Sequence, residues 1–278
     1  MKKMRRILLA MTMLVATAAS AQQTARLFLS GHGPEDAVKW DFWCSDGMQA
    51  RQWKRIGVPS CWEQQGFGGY TYGRQYVYDR ESDKKWADRH DTRVTKEQGR
   101  YRYRFTMPRE WQGREVSIVF DGVMTDAEVS VNGQLAGPVH QGGFYQFRYD
   151  ISDKLLYGKK NLLEMKVSKH SADRSVNNAE RRADWWLFGG IYRPVWLEAR
   201  PQTQIAHVAV DARADGTLNA LLRLKNVPEG AQLQATLTPW GTTTPTATKT
   251  QPLTSDDVQS PKFHFQSVRP WDPEHPNL

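Results

Sequence analysis

The stretch Arg100-Tyr101-Arg102-Tyr103-Arg104-Phe105 decides the fold. Its strict period of two puts Tyr101, Tyr103 and Phe105 on one face of an extended segment and the three arginines on the other, which is the pattern of a strand buried on one side. Working outward, Val116-Ser117-Ile118-Val119-Phe120 follows turn residues around Gly113, and Ala127-Glu128-Val129-Ser130-Val131 runs directly into Asn132-Gly133. An Asn-Gly pair accepts the positive φ angles of a tight hairpin, so Asn132 is expected to shape a turn while Val129 and Val131 face the core. Residues 142–150 read as a turn entering another strand, 151–157 as one short helical turn, and 161–167 and 191–199 as further strands. Between these last two, residues 168–183 read as a polar loop, and Arg200-Pro201 reads as a domain boundary.

Beyond that boundary the strands are simpler. Residues 205–210, 218–224 and 231–237 are apolar runs punctuated by Ala214-Asp215-Gly216 and Pro228-Glu229-Gly230, two hairpin signals, and the Thr/Pro-rich residues 241–254 read as a flexible connection. The expected fold is all-β. A jelly-roll sandwich over residues 22–200 is followed by an immunoglobulin-like sandwich over 201–278, expected to be truncated because Pro270-Trp271-Asp272-Pro273 arrives where another strand should begin.

Lys2, Lys3, Arg5 and Arg6 precede an apolar run ending in Ala19-Ser20-Ala21, which predicts a signal peptide over residues 1–21 and a periplasmic or secreted product. That run is too short to span a bilayer, and nothing like it recurs, so no membrane span is expected. Removing the four basic side chains of the leader takes the net charge from +8 to +4. With its basic clusters Arg100/Arg102/Arg104 and Arg181/Arg182 set among acids and aromatics, the chain is not expected to bind nucleic acid. Cys44 and Cys61 either pair in an oxidising compartment or stay as two thiols buried beside Trp43 and Trp62.

Hydrolysis of a glycoside needs two carboxyl groups flanking the bond. No such pair is legible: the clearest acidic cluster, Asp79, Glu81 and Asp83, lies in a polar run without the apolar surroundings that would raise one pKa. The histidines lack metal-ligand spacing, and there is neither a G-x-S-x-G elbow nor a phosphate-binding glycine pattern, so no catalytic residue, cofactor or metal is expected. The binding signal lies in Asp184-Trp185-Trp186-Leu187-Phe188-Gly189-Gly190. Asp184 can accept two adjacent sugar hydroxyls while Trp185 or Trp186 covers the apolar face of the ring; otherwise it is a loop carboxylate paired with Arg181 or Arg182, next to tryptophans that close the sandwich core. His140, beside Gln141-Gly142-Gly143, is the best placed of the histidines for a ligand, with Tyr70, Tyr72 and Trp62 as weaker aromatic candidates.

Taken together, the segments Val58-Pro59-Ser60-Cys61-Trp62-Glu63, Tyr101-Arg102-Tyr103-Arg104-Phe105, Phe120-Asp121-Gly122-Val123, Ala127 to Gly133, Gly142-Gly143-Phe144 and Asp184 to Val195 resemble, in this order, the non-catalytic N-terminal half of glycoside hydrolase family 2, as in β-galactosidases and β-glucuronidases. The resemblance implies a carbohydrate substrate, an aspartate at position 184 reaching the terminal sugar, and a C-terminal TIM barrel carrying the two catalytic glutamates beyond Leu278. It further implies retaining cleavage of terminal β-glycosides by the whole enzyme. The alternative is a freestanding carbohydrate-binding or scaffold module.

Overall fold

The computed structural model describes residues 23–72, 96–181, 185–266, 268 and 271–274. The leader, Asp79, Glu81, Asp83 and Asp184 lie outside these residues. Residues Thr24–Arg200 form one compact unit, and the residues from Pro201 onward belong to a second.

Among the described residues the first unit runs through β1 (Ala25–Phe28), β2 (Val38–Cys44), β3 (Lys54–Val58), β4 (Thr71–Tyr72), β5 (Gln98–Thr106), β6 (Glu115–Phe120), β7 (Asp126–Val131), β8 (Gln134–Leu135), β9 (Phe147–Asp150) and β10 (Lys160–Ser168), then the helix α1 (Arg174–Glu180), and finally β11 (Trp186–Leu187) and β12 (Val195–Arg200). Two antiparallel sheets result. One has the order β3-β2-β5-β10-β7-β8, the other β1-β12-β6-β9, and β11 pairs with β4 apart from both. Phe42, Tyr101 and Leu163 from the larger sheet and Ile118, Phe120 and Leu197 from the smaller share one buried core, making the unit a β-sandwich. Each such side chain, taken fully out of water, contributes about 1.5–3 kcal/mol.

The alternation read in β5 holds: Tyr101 and Phe105 are buried, Tyr103 is half-buried, and Arg100, Arg102 and Arg104 are exposed. Asn132 at φ 52° and Gly133 at φ 80° form the β7–β8 turn. The Asn132 amide also donates to Lys154 O and Asn161 Oδ1, and its carbonyl accepts from Leu162 N, so the side chain is committed to the fold. The helical turn expected near 151–157 is a single 3-10 turn at Ser152–Lys154.

Two expectations need correction here. Residues 168–183 are not simply a loop, because α1 lies within them; Asp173 caps it by accepting from the backbone N–H of Ser175 and Val176. A seven-residue helix is too short to show an apolar period. The strand expected from residue 191 begins at Val195, since the preceding residues are held by loop hydrogen bonds.

In the second unit, β13 (Gln204–Ala212), β14 (Thr217–Lys225), β15 (Gln232–Leu237), β16 (Ala247–Pro252), β17 (Asp257–Gln259) and β18 (Phe263–His264) form two small sheets. β14 pairs with β13, β17 and β18, and β15 pairs with β16. The Thr/Pro-rich connection therefore contains a strand, whose β-branched Thr248 and Thr250 suit a pleated surface better than their polarity suggested. Pro228-Glu229-Gly230 is a turn between sheets, not a hairpin, because β14 and β15 belong to different sheets. Leu222, Leu224, Leu233 and Val258 form its small core. Among the described residues no helix is long and apolar enough to cross a membrane.

Candidate functional site

The diglycine segment is built on a tryptophan. Trp62 is fully buried, and a Cβ added to Gly189 would come within 2.2 Å of its ring, so only a residue without a side chain lets the backbone lie there. Gly190 adopts φ +128°, a conformation open to glycine, and its N–H and C=O both bond to Met124. Trp62 N donates to Gly189 O at 3.0 Å, and Ser60 N to Ile191 O at 2.8 Å. The segment is thereby fastened to the loop after β3 on one side and to the loop before β7 on the other.

Beneath it lies an ionic cluster that the sequence reading did not single out. Lys169 Nζ is 2.6 Å from Glu63 Oε1 and 3.1 Å from Glu97 Oε1, and none of the three side chains is more than 1% exposed. Lys169 also donates to Gly69 O, Trp62 Nε1 donates to Glu97 Oε1 at 2.6 Å, and Gly69 N to Glu97 Oε2 at 2.8 Å. Gly189 N donates to both oxygens of Glu63, at 3.2 and 3.1 Å. Burial pushes both carboxyl groups upward, opposed by the Lys169 charge. A second buried cation, Arg181, donates through Nε to Thr125 Oγ1 at 2.7 Å, and burial lowers its pKa to about 10.

Above the cluster the aromatic side chains are open. Trp186 is 52% and Trp185 50% exposed, and Tyr70 is 52% exposed with its ring edge-on to Trp186 at 6.0 Å and to Phe188 at 6.2 Å. The β4–β11 pairing, Trp186 with Tyr72 and Leu187 with Thr71, brings residues 70–72 to the aromatic segment. The two tryptophans therefore do not close the core; that is done by Leu187 and Trp62. His140 sits in a separate stack, its ring 3.8 Å from that of Phe147 and its Nε2 2.9 Å from Gly142 O. The carbonyl can only accept, so Nε2 carries the proton, and burial holds the imidazole below its ordinary pKa. Cys44 and Cys61 are free thiols.

The family model described as "Glycosyl hydrolases family 2, sugar binding domain" matches residues 28–201. The chain belongs to glycosyl hydrolase family 2. A β-galactosidase of Thermoanaerobacter pseudethanolicus is 30% identical over 186 residues, covering 64% of this chain and 24% of the relative. A β-glucuronidase of Bacteroides fragilis is 32% identical over 114 residues, covering 39% of this chain and 15% of the relative. Among solved structures, a calcium-binding mutant of Bacteroides uniformis β-glucuronidase 2 superimposes with a TM-score of 0.61 at 18% identity, covering 91% of this chain and 29% of that one. This family 2 chain thus spans about a quarter or less of the length of these curated relatives.

Proposed function

We propose that this family 2 chain is the sugar-binding N-terminal portion of an exported enzyme that hydrolyses terminal β-glycosidic bonds, and that Asp184, Trp185, Trp186 and His140 belong to its substrate site. The observation that carries this reading is the aromatic rim of exposed Tyr70, Trp185 and Trp186 with half-buried Phe188, whose segment 185–188 follows Asp184 directly in sequence and stands on a fully buried support. Large exposed rings over a rigid base suit the apolar face of a sugar better than they suit solvent. A carboxylate beside them accepts two hydroxyl hydrogen bonds, each of a charged kind worth about 1.5–3 kcal/mol. In the neutral tautomer His140 keeps Nδ1 as an acceptor for a further hydroxyl.

In this reading the acid/base and nucleophilic carboxylates come from a TIM barrel elsewhere in the full-length protein, which performs retaining hydrolysis. The same proposal includes removal of residues 1–21 on export, a periplasmic or secreted location, and an immunoglobulin-like identity for the second unit.

The test is Asp184→Asn and Trp186→Ala in the polypeptide that joins this segment to a barrel, assayed on aryl β-glycosides. Loss of at least about 100-fold in kcat/KM for Asp184→Asn, and a raised KM for Trp186→Ala, is expected with melting temperatures unchanged. Wild-type kinetics in both variants would overturn the site. Full hydrolase activity in the 278-residue chain by itself would overturn the assignment of catalysis to another domain.

A further inference from the structure

The outward face of the six-stranded sheet carries two very different rows of side chains. In one, Arg55, Asp41, Arg102 and Glu164 lie side by side across β3, β2, β5 and β10. The signs alternate and the charges are paired: Arg55 Nη1 is 3.2 Å from Asp41 and Arg102 Nε 2.8 Å from Glu164. The next row is Trp43, Arg100, Lys166 and Glu128. Here Arg100 and Lys166 stand directly opposite each other, both exposed, and among the described residues neither has an ion pair. Like charges in directly opposed positions destabilise a sheet; Glu128, opposite Lys166 on its other side, offsets part of that cost, and an anion between Arg100 and Lys166 would offset more.

A depression of about 410 Å³ opens over the doublet. Its lining includes Trp53, 44% exposed, with the Arg102 guanidinium 4.4 Å from its ring centroid, and two carboxylates, Glu164, paired with Arg102, and Glu128, opposite Lys166. Arg100 is fixed in turn over Trp43, at 4.9 Å. Both guanidinium groups are thus pre-positioned by aromatic contact, which lowers the entropy lost when they take a ligand.

We propose that this face is a carbohydrate site that shares no residue with the Tyr70/Trp186 rim and is independent of it, taking an acidic sugar of an anionic polysaccharide. The sugar carboxylate lies between Arg100 and Lys166 and the ring lies against Trp53. Arginine matches a carboxylate with two parallel hydrogen bonds, and lysine adds a point charge. Nucleic acid fits less well: the acids Glu128, Glu164 and Asp41 interrupt the basic surface, which suits one carboxylate per sugar and not the dense charge of a phosphate backbone.

The test is affinity electrophoresis of the purified chain through gels containing polygalacturonate, with a neutral galactan and single-stranded DNA in parallel gels. Retardation by polygalacturonate is expected, weakened about tenfold by Lys166→Glu and severalfold by Trp53→Ala, and absent in the neutral gel. Should Lys166→Glu fail to fold, because its new carboxylate would stand directly opposite Glu128, Lys166→Gln serves in its place. No retardation by polygalacturonate overturns the proposal. So does equal retardation by DNA that is indifferent to Trp53→Ala, which would make the face a plain ion exchanger.

Discussion

Lys169 reaches Glu63 at 2.6 Å in a site closed to solvent on every side, and the same ammonium holds Glu97 at 3.1 Å. Through these two carboxylates it joins the end of β10 to the start of β5, to the loop after β3 and to the backbone of Gly189. The exposed aromatic rim therefore rests on charge and not on a greasy floor. A buried pair of this kind is poor evidence for stability in itself, since a matched apolar replacement is often as stable, but removal of one partner is costly.

Lys169→Met is accordingly expected to destabilise the first unit by about 3–5 kcal/mol, because it strands two carboxylates without their cation. The pH dependence has a definite sign. Both carboxyl groups have folded pKa values raised by burial, so the favourable protonated form is fully present below the unfolded value and lost as pH rises through the folded one. Without lysine the rise is larger, and the deficit of the variant should shrink on going from pH 8 to pH 5. Urea titrations at the two pH values check this; a deficit independent of pH would mean that the carboxylates are not what the lysine neutralises.

This cluster was half legible. The odd-numbered positions of β10, from Asn161 to Val167, point inward, and one further step places Lys169 inward; the odd-numbered positions of β5 do the same for Glu97. Period two thus aimed a lysine and a glutamate into one core, a conflict that could be resolved only by pairing them. Glu63 gave no such sign, because it sits in a 3-10 turn where neither period applies. The strands of the first unit were readable from their alternation and the Asn132-Gly133 turn from its geometry. The helix α1 and the strand β16 were not: one is too short for a helical period, and the other carries threonines where apolar residues would have marked it.

Gly189→Ala tests why the diglycine exists. Its methyl would have to enter the Trp62 ring, and Trp62 is locked by its bond to Glu97, so the backbone and not the ring must yield. Overpacking of this type costs about 1–3 kcal/mol. The variant should show that loss in thermal unfolding together with a changed near-ultraviolet tryptophan signal. An unchanged signal at unchanged stability would show that Trp62 moves freely.

His170 supplies a second pH dependence, of opposite sign. Burial, with the charges of Arg181 and Lys169 added, lowers its pKa from 6.5 to about 3. The unfolded chain therefore binds a proton that the folded one refuses, and stability falls as pH drops from about 6.5 toward 3. Between pH 7 and pH 4 this one group accounts for about 3 kcal/mol. In His170→Gln the fall across that range should be shallower by this amount, whatever the absolute stability of the variant. Parallel curves for the two proteins would show that His170 accepts its proton within the fold.

The two thiols answer to the same physics. Burial pushes Cys44 and Cys61 from 9.0 up to about 12, with the negative charge of Glu97 acting further on Cys44 and that of Glu63 on Cys61. Only the thiolate attacks a disulfide reagent, so the three units reduce its population about 1000-fold at pH 8. A more basic thiolate is the better nucleophile, which offsets part of this loss, so reaction of the native chain with an aromatic disulfide should be slower than that of a small thiol by at least about 30-fold at both sites. Urea should release both thiols together, because both are held by the cooperative unfolding of the first unit. Rapid modification of Cys61 alone, the less buried of the two, would show that the loop after β3 opens without the rest of the sandwich.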